Sequence, residues 1–562
     1  MCSWNGSVAA DRALPDILDT LDMELVRTIL RYWNTLRHLR FGQVWARLCF
    51  RLHRPTPDCS KGPCWRASTG RWIAPLSRPP SVFERTARFL SVERDIASPH
   101  VWNDRSIPKL WLYNLHYHED LRDSSPQRRE QQLGFIRRWM RENPPARGNG
   151  WEPYPVSLRV VNWICWAQHG GAMPDDMLQS LTVQTRWLTR RIEHHLLANH
   201  LFVNAKALTM VGLATDGPES DRWLRTGLRL LHREIDTQVL SDGGHYERSP
   251  MYHALILEDV LDLINAADAW GGRIDSQIVT KWRATASRML RWLRVMTHPD
   301  GDISFFNDAA LGIAPRLAEI EGYAAHLGVR DQPAADSPLV DLSDSGYLRA
   351  TVGEAALLVD AAPIGPDEQP GHAHADTLSF ELSLGVQRVI VNGGTSTYAI
   401  GAQRTHERST RSHSTLELDG CDSSEVWAGF RVARRARVIA RHANVESPRC
   451  ILITAAHDGY RRIHRRAVHE RTWRLTDRGL EVMDSMPIGS PIVRLLLHPT
   501  VVPMGARSVR LPNGRELAFA VDGGALRIEP ATWSPRFGVI EPTNVVVVAM
   551  QSPTLRVSIA WT

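Results

Sequence analysis

Residues 371–385 read GHAHADTLSFELSLG. Leu378, Phe380, Leu382 and Leu384 alternate there with Ser379, Glu381 and Ser383. A period of two predicts a strand with an apolar face and a polar face. Toward the C-terminus similar short segments follow: RVIVN, STLELDG, RVARRARVIAR, CILITAAHDG, RAVHERTWRLTDRGLEVMDSM, VRLLLHP, NVVVVAM and LRVSIAW. AALLVD precedes them. Many closely spaced strands with few helices predict an antiparallel sandwich. Upstream, DQPAADSPLVDLSDS (331–345) shifts the composition to Pro, Asp and Ser and sets a domain boundary, with the sandwich at 336–562.

Before that boundary the period changes. Apolar residues recur at three- and four-residue steps over 129–141, 157–169, 176–197, 221–237, 251–269 and 278–296, separated by turn signals such as NPPARGNG and TDGPESD. The expected fold class is α+β multidomain: an N-terminal (α/α) incomplete toroid of helical hairpins over 110–335, then the C-terminal antiparallel β-sandwich. The region is rich in Trp, and those at helix ends are expected to line a central cleft. Residues 1–109 form an extension packing on the toroid. Within it, 21–55 read as an amphipathic, Arg-rich helix or helix pair, and 55–80 as a loop. Such a helix packs on its own domain or lies on a membrane surface.

The 562 residues, 43% hydrophobic and 23% charged, suit a globular chain with more than one core. Of 67 cations only Lys61, Lys109, Lys206 and Lys281 are lysines. The arginines are scattered among acids rather than clustered, which argues against a nucleic-acid partner. Seven widely spaced cysteines give no disulfide framework. No apolar run reaches the length of a membrane span. The N-terminus shows no secretory signal, which on sequence alone means a cytoplasmic protein. A misassigned start or another export route would make it periplasmic or extracellular.

Four stretches carry chemistry. EHHLLANHLFVNAKAL (193–208) sets Asn199, His200 and Asn204 in a helical pattern, with polar groups aimed into a cleft. In SDGGHYERSPMYH (241–253), Ser249 and Pro250 signal a helix start, placing Tyr252 and His253 in the first turn. The positive helix end there is expected to lower the Tyr252 pKa. His372 and His374, at i and i+2 on an extended segment, project to one side as a metal or catalytic pair. A long loop offers Asn392, Tyr398, Arg404, Arg408 and His413, whose arginines suit a bidentate carboxylate clamp.

In combination these stretches resemble the heparinase II/III-like polysaccharide lyases, which include heparin, heparosan and related alginate lyases. The resemblance covers about 110–470. It is carried by ANH (198–200), DGGHYERSPMYH (242–253), GHAHADTLSFELS (371–383) and ERSTRSHSTLELDG (407–420). It implies β-elimination beside a uronic acid, giving unsaturated uronyl oligosaccharides from an acidic, exopolysaccharide- or glycosaminoglycan-like polymer. Such a reaction must neutralise the carboxylate, remove the C5 proton and protonate O4.

Asn199 and His200 match the carboxylate-binding positions, Tyr252 the catalytic Tyr that serves as base and then acid, and His372 the second-domain His. Arg159, His245, Tyr246, Tyr398, Arg404 and Arg408 are substrate-binding candidates. The resemblance further implies a structural zinc on His374 and His413, and no organic cofactor. The third ligand, commonly Asp, is here Asn392, a poor zinc ligand; the alternative is a metal-free His pair bonded by Asn392. Two other functions compete: a carbohydrate-binding protein of exopolysaccharide assembly, and a glycoside hydrolase. A hydrolase needs two flanking carboxylates, and Asp242 and Glu247 are the obvious acids in these motifs.

Overall fold

A computed structural model describes residues 13–123, 125–170, 173–330 and 337–561. Two helices come first, α1 (Ala13–Leu36) and α2 (Phe41–Leu52). Apart from a two-residue strand, residues 55–80 are irregular, as expected. The toroid follows: α3 (Lys109–Tyr117), α4 (Arg129–Glu142), α5 (Pro153–Gly170), α6 (Asp175–Thr189), α7 (Ala198–Ala214), α8 (Pro218–Gln238), α9 (Pro250–Ala269), α10 (Ser276–Val295) and α11 (Leu317–His326). A last helix, α12 (Ala402–Arg408), interrupts the sandwich.

Local chemistry fixes these boundaries. Ser249 caps α9 by accepting the Tyr252 N–H at 3.2 Å, and Pro250 opens the helix. Asp275 caps α10 through the Gln277 N–H at 2.8 Å. The helix expected over 176–197 is corrected: α6 stops at Thr189, and Leu197 and Ala198, at the cap and first residue of α7, adopt φ of 59° and 50°. Left-handed backbone at two successive non-glycine residues costs energy, and it re-aims the chain where Asn199 begins.

Two antiparallel sheets, of nine and eight strands, form the sandwich. Phe380, Leu382, Ile453, Trp473, Val482 and Val557 are among the side chains that fill its core. The strand Phe380–Leu384 carries the predicted alternation, but its polar face does not meet water; all five residues are buried. The toroid covers that face. Glu381 and Ser383 both lie 2.7 Å from the ring nitrogens of His298, just beyond α10. An apolar cluster also runs across the junction, uniting Leu257, Leu261 and Ile264 of α9 with Val391, Trp533 and Val547 of the sandwich.

The boundary expected between 335 and 336 lies outside the described residues. The N-terminal extension packs on more than the toroid. Arg191 of the toroid donates to the carbonyls of Phe50 and His53. Arg31 pairs with Glu425 at 3.1 Å, and Gln43 donates to the Glu368 carbonyl at 3.2 Å, both on the sandwich. The toroid tryptophans Trp139, Trp151, Trp163, Trp166, Trp187, Trp223, Trp270, Trp282 and Trp292 are all buried, so the expectation that some line a cleft is not met. All the cysteines from Cys49 onward are free.

Candidate active site

Residues from both domains meet at the junction. Tyr252, in the first turn of α9, stacks on His372 with ring centroids 3.9 Å apart and planes 29° from parallel. Its hydroxyl lies 3.0 Å from that of Tyr398. His372 Nδ1 is 2.9 Å from Asp308 Oδ2, and its Nε2 faces Glu247 Oε2 at 3.6 Å, beyond hydrogen-bonding range. A carboxylate only accepts, so Nδ1 carries the proton and the Nε2 lone pair is uncommitted.

Asp308 also takes His374 Nε2 at 2.8 Å, Thr395 Oγ1 at 3.1 Å and both terminal nitrogens of Arg404. Burial alone would raise its pKa, but Arg404 and the two histidines hold it well below the usual carboxylate range. The Asp308 N–H donates to the His372 carbonyl at 2.9 Å, so backbone and side chain tie the two segments together. Sequence reasoning missed Asp308. Its local signal was one acid in the apolar run SFFNDAAL, where Asn307 takes a positive φ of 57°.

On the toroid side, Asn199 and His200 open α7. The Asn199 N–H points to Glu247 Oε1 at 3.4 Å, and among the described residues its carboxamide has no hydrogen-bond partner. His200 packs 4.4 Å from the Tyr154 ring, with Nδ1 3.2 Å from Glu193. Glu247 is buried, and Oε2 has no hydrogen bond. Burial raises its pKa, partly offset by His372. The expected lowering of Tyr252 is corrected: burial first, and Tyr398 second, raise its pKa well above that of a free phenol. The helix start does position the ring, but desolvation dominates its ionisation.

The other candidates divide. Tyr398 joins the site. Arg159 does not: it is buried in the toroid, donating to Gln184, His116 O and Gly150 O at 2.8–3.0 Å over the face of Trp139. Arg404 is spent on Asp308 and on Gly429 O. Arg408 is spent on the carbonyls of Ala373, Trp427, Ala428 and Arg431. The expected arginine clamp is therefore replaced by arginines that hold the site's own loops. His245 is buried against Gln238 at 3.0 Å, with Tyr246 packed beside it.

His374 Nδ1 and His413 Nε2 lie 3.2 Å apart. At the third position, Asn392 Oδ1 accepts the Ser414 N–H at 3.0 Å, and its Nδ2 is buried without a partner. Among the described residues no group of three or more His, Cys, Asp or Glu side chains is placed to hold a metal. Two imidazoles and an amide whose oxygen is already engaged do not make the usual zinc donor set.

Residues 130–326 match the Heparinase II/III N-terminus family, and 334–562 the Heparinase II/III-like, C-terminal family. The chain belongs to the heparinase II/III-like family. A heparin-sulfate lyase of Pedobacter heparinus is 25% identical over 50% of this chain and 46% of its own length. One from Bacteroides stercoris is 24% identical over 48% and 43%. The FtsZ-localized protein C of Caulobacter vibrioides is 25% identical over 63% and 60%. The chain thus spans about half the length of the curated lyases it matches.

Among solved structures, a heparinase III superposes with a TM-score of 0.64 at 15% identity, covering 82% of this chain and 79% of that one. A heparan sulfate lyase of Pedobacter heparinus gives 0.57 at 18%, covering 92% and 87%. These superpositions bear out the toroid and sandwich of this heparinase II/III-like chain.

Proposed function

We propose that this protein is a polysaccharide lyase cleaving a uronate polymer by β-elimination. The observation that carries this reading is the Tyr252–His372 stack, with His372 oriented by Asp308. His372 Nε2 removes the C5 proton. Electron density moves toward the carboxylate, where Asn199 and His200 donate hydrogen bonds. The C4=C5 double bond forms as the C4–O4 bond breaks, and the Tyr252 hydroxyl gives its proton to O4. A raised Tyr252 pKa suits the acid, because the resting phenol is protonated. The competing hydrolase reading lacks support: Asp242 is occupied with the Gly244, Asp344 and Ser345 backbone.

Two features narrow the substrate. Base and acid are stacked neighbours, so they serve one face of the sugar ring. That geometry performs syn-elimination, which fits D-glucuronate or D-mannuronate, whose C5–H and C4–O4 bonds share a face. It does not fit L-iduronate. The arginines expected to clamp a carboxylate, Arg404 and Arg408, are engaged with the protein and leave no free guanidinium there for sulfates, which favours a polymer of low sulfation. Incubation with unsulfated glucuronate polymer, with iduronate-rich sulfated polymer and with alginates tests this directly. Unsaturated, ultraviolet-absorbing ends from the glucuronate or mannuronate polymers are expected; cleavage of the iduronate-rich polymer alone would refute the syn assignment.

A further inference from the structure

Twelve of the 23 large apolar side chains exposed among the described residues fall within residues 25–52. On α2 they are Phe41, Val44, Trp45, Leu48 and Leu52, spaced to share one face of the helix. Phe41 is 84% exposed and Leu52 75%. Trp33, 64% exposed, adds to this surface from α1. The helices are anchored by other side chains. Phe50 lies 3.5 Å from the Arg191 guanidinium and 4.3 Å from the His195 ring, while Tyr32 meets the Trp427 ring at 5.0 Å. The apolar stripe therefore faces away from the body that holds it.

Charge separates the occupants such a surface could take. Residues 25–54 contain seven arginines and no Asp or Glu, although the whole chain is nearly balanced at +6. The carboxylates of the helix pair all sit in the first half of α1, at Asp16, Asp19, Asp22 and Glu24. Among the described residues Arg47, Arg51 and Arg54 have no carboxylate within ion-pair distance. A second copy of the chain would set one arginine-rich face against another. A polyanionic sugar would engage the arginines but leave Trp45 and Leu48 in water. An anionic bilayer satisfies both sets, burying the apolar side chains at the acyl boundary while the guanidiniums reach the headgroups.

We propose that α1 and α2 dock the protein on an anionic lipid surface. No described helix is long and apolar enough to cross a membrane, so this docking is peripheral. The same pair grips Glu368, four residues before His372, and so places the active-site junction close to that surface.

The test is flotation of the full chain with vesicles of phosphatidylcholine alone or mixed with phosphatidylglycerol, at low and high salt. The wild type is expected to float with the anionic vesicles about tenfold more than with the neutral ones, and less as salt rises. The variant F41S/W45E/L48E, whose substitutions are all exposed, is expected to lose that flotation about tenfold with an unchanged melting curve. The proposal is overturned if the wild type stays unbound, or if the triple variant floats equally well. A wild-type dimer in light scattering that the triple variant abolishes, with vesicles unbound, would assign the face to a second copy and overturn it as well.

Discussion

One carboxylate, Asp308, accepts hydrogen bonds from His372, His374, Thr395 and Arg404. It fixes the tautomer of His372 and cancels the charge of Arg404 in a buried site. Asp308→Asn replaces an all-acceptor group with one that must donate, so the His372 Nε2 lone pair is no longer enforced. The expected outcome is a fall in initial rate of about 10²–10⁴, the range for general acid–base groups, read as unsaturated product. Its pKa is depressed in the folded state, so the stability it gives is complete above its unfolded value near ~4 and is lost as pH falls below that. Acid unfolding followed by circular dichroism should therefore be steeper for the wild type than for Asp308→Asn. Asp308 was not legible in the sequence, because its partners lie 64 to 96 positions away. His372 and His374 were, because their spacing alone puts them on one side of an extended chain. Tyr252 was located by its Ser-Pro helix start, but the direction of its pKa is set by burial at the domain junction, with Tyr398, 146 positions away, adding to it.

At the scale of elements, α7 and α9 must hold Asn199 and Tyr252 in register. A buried charge network does this: Lys206 of α7 lies 2.6 Å from both Asp259 and Asp262 of α9, and Arg122 binds Asp262 and Glu258 at 2.8 and 2.7 Å. Removing one member leaves carboxylates buried with less compensation. Lys206→Ala is expected to cost about 3–5 kcal/mol, measured as a lower midpoint of denaturant unfolding. The strand Phe380–Leu384 carries a second test. Burial, partly offset by Arg388, pushes Glu381 up to about 7, and burial lowers His298, so their 2.7 Å contact favours the protonated carboxyl as pH falls. A carboxyl raised on folding gives stability that is complete below its unfolded value near ~4.3. That stability is lost as pH rises toward 7, at up to roughly 1.4 kcal/mol per pH unit. Glu381→Gln should flatten that slope in stability measured from pH 4 to 7. The alternation in this strand was legible; the neighbour that dries its polar face was not, because a period of two does not say what covers either side. The split between α6 and α7 was missed for a related reason: the apolar spacing continues through Leu196 and Leu197 while the backbone breaks.

At the scale of the molecule, the change from helical to alternating period predicted a toroid followed by a sandwich, and the chain's membership of the heparinase II/III-like family agrees with that fold. The sequence did not reveal how fully the two parts share a core. Leu257 and Leu261 of the toroid and Val391 and Val547 of the sandwich belong to one apolar cluster. Calorimetry should therefore show toroid and sandwich unfolding in a single transition; two resolved transitions would contradict a shared core. The scattered arginines also acquire distinct meanings. Arg159, Arg404 and Arg408 are structural supports, Arg31 and Arg40 tie the helix pair to the sandwich, and Arg47, Arg51 and Arg54 are exposed beside the apolar side chains of α2. The proposed elimination rests on the stacked pair at the junction, and product analysis reads it out. Purified wild type and Tyr252→Phe are incubated with a glucuronate polymer, and ultraviolet absorbance of unsaturated ends is compared with total reducing ends. The wild type should produce both in equal number, and Tyr252→Phe, with its fold intact, neither. Reducing ends without absorbance would rule out elimination, and full activity in Tyr252→Phe would rule out Tyr252 as its acid.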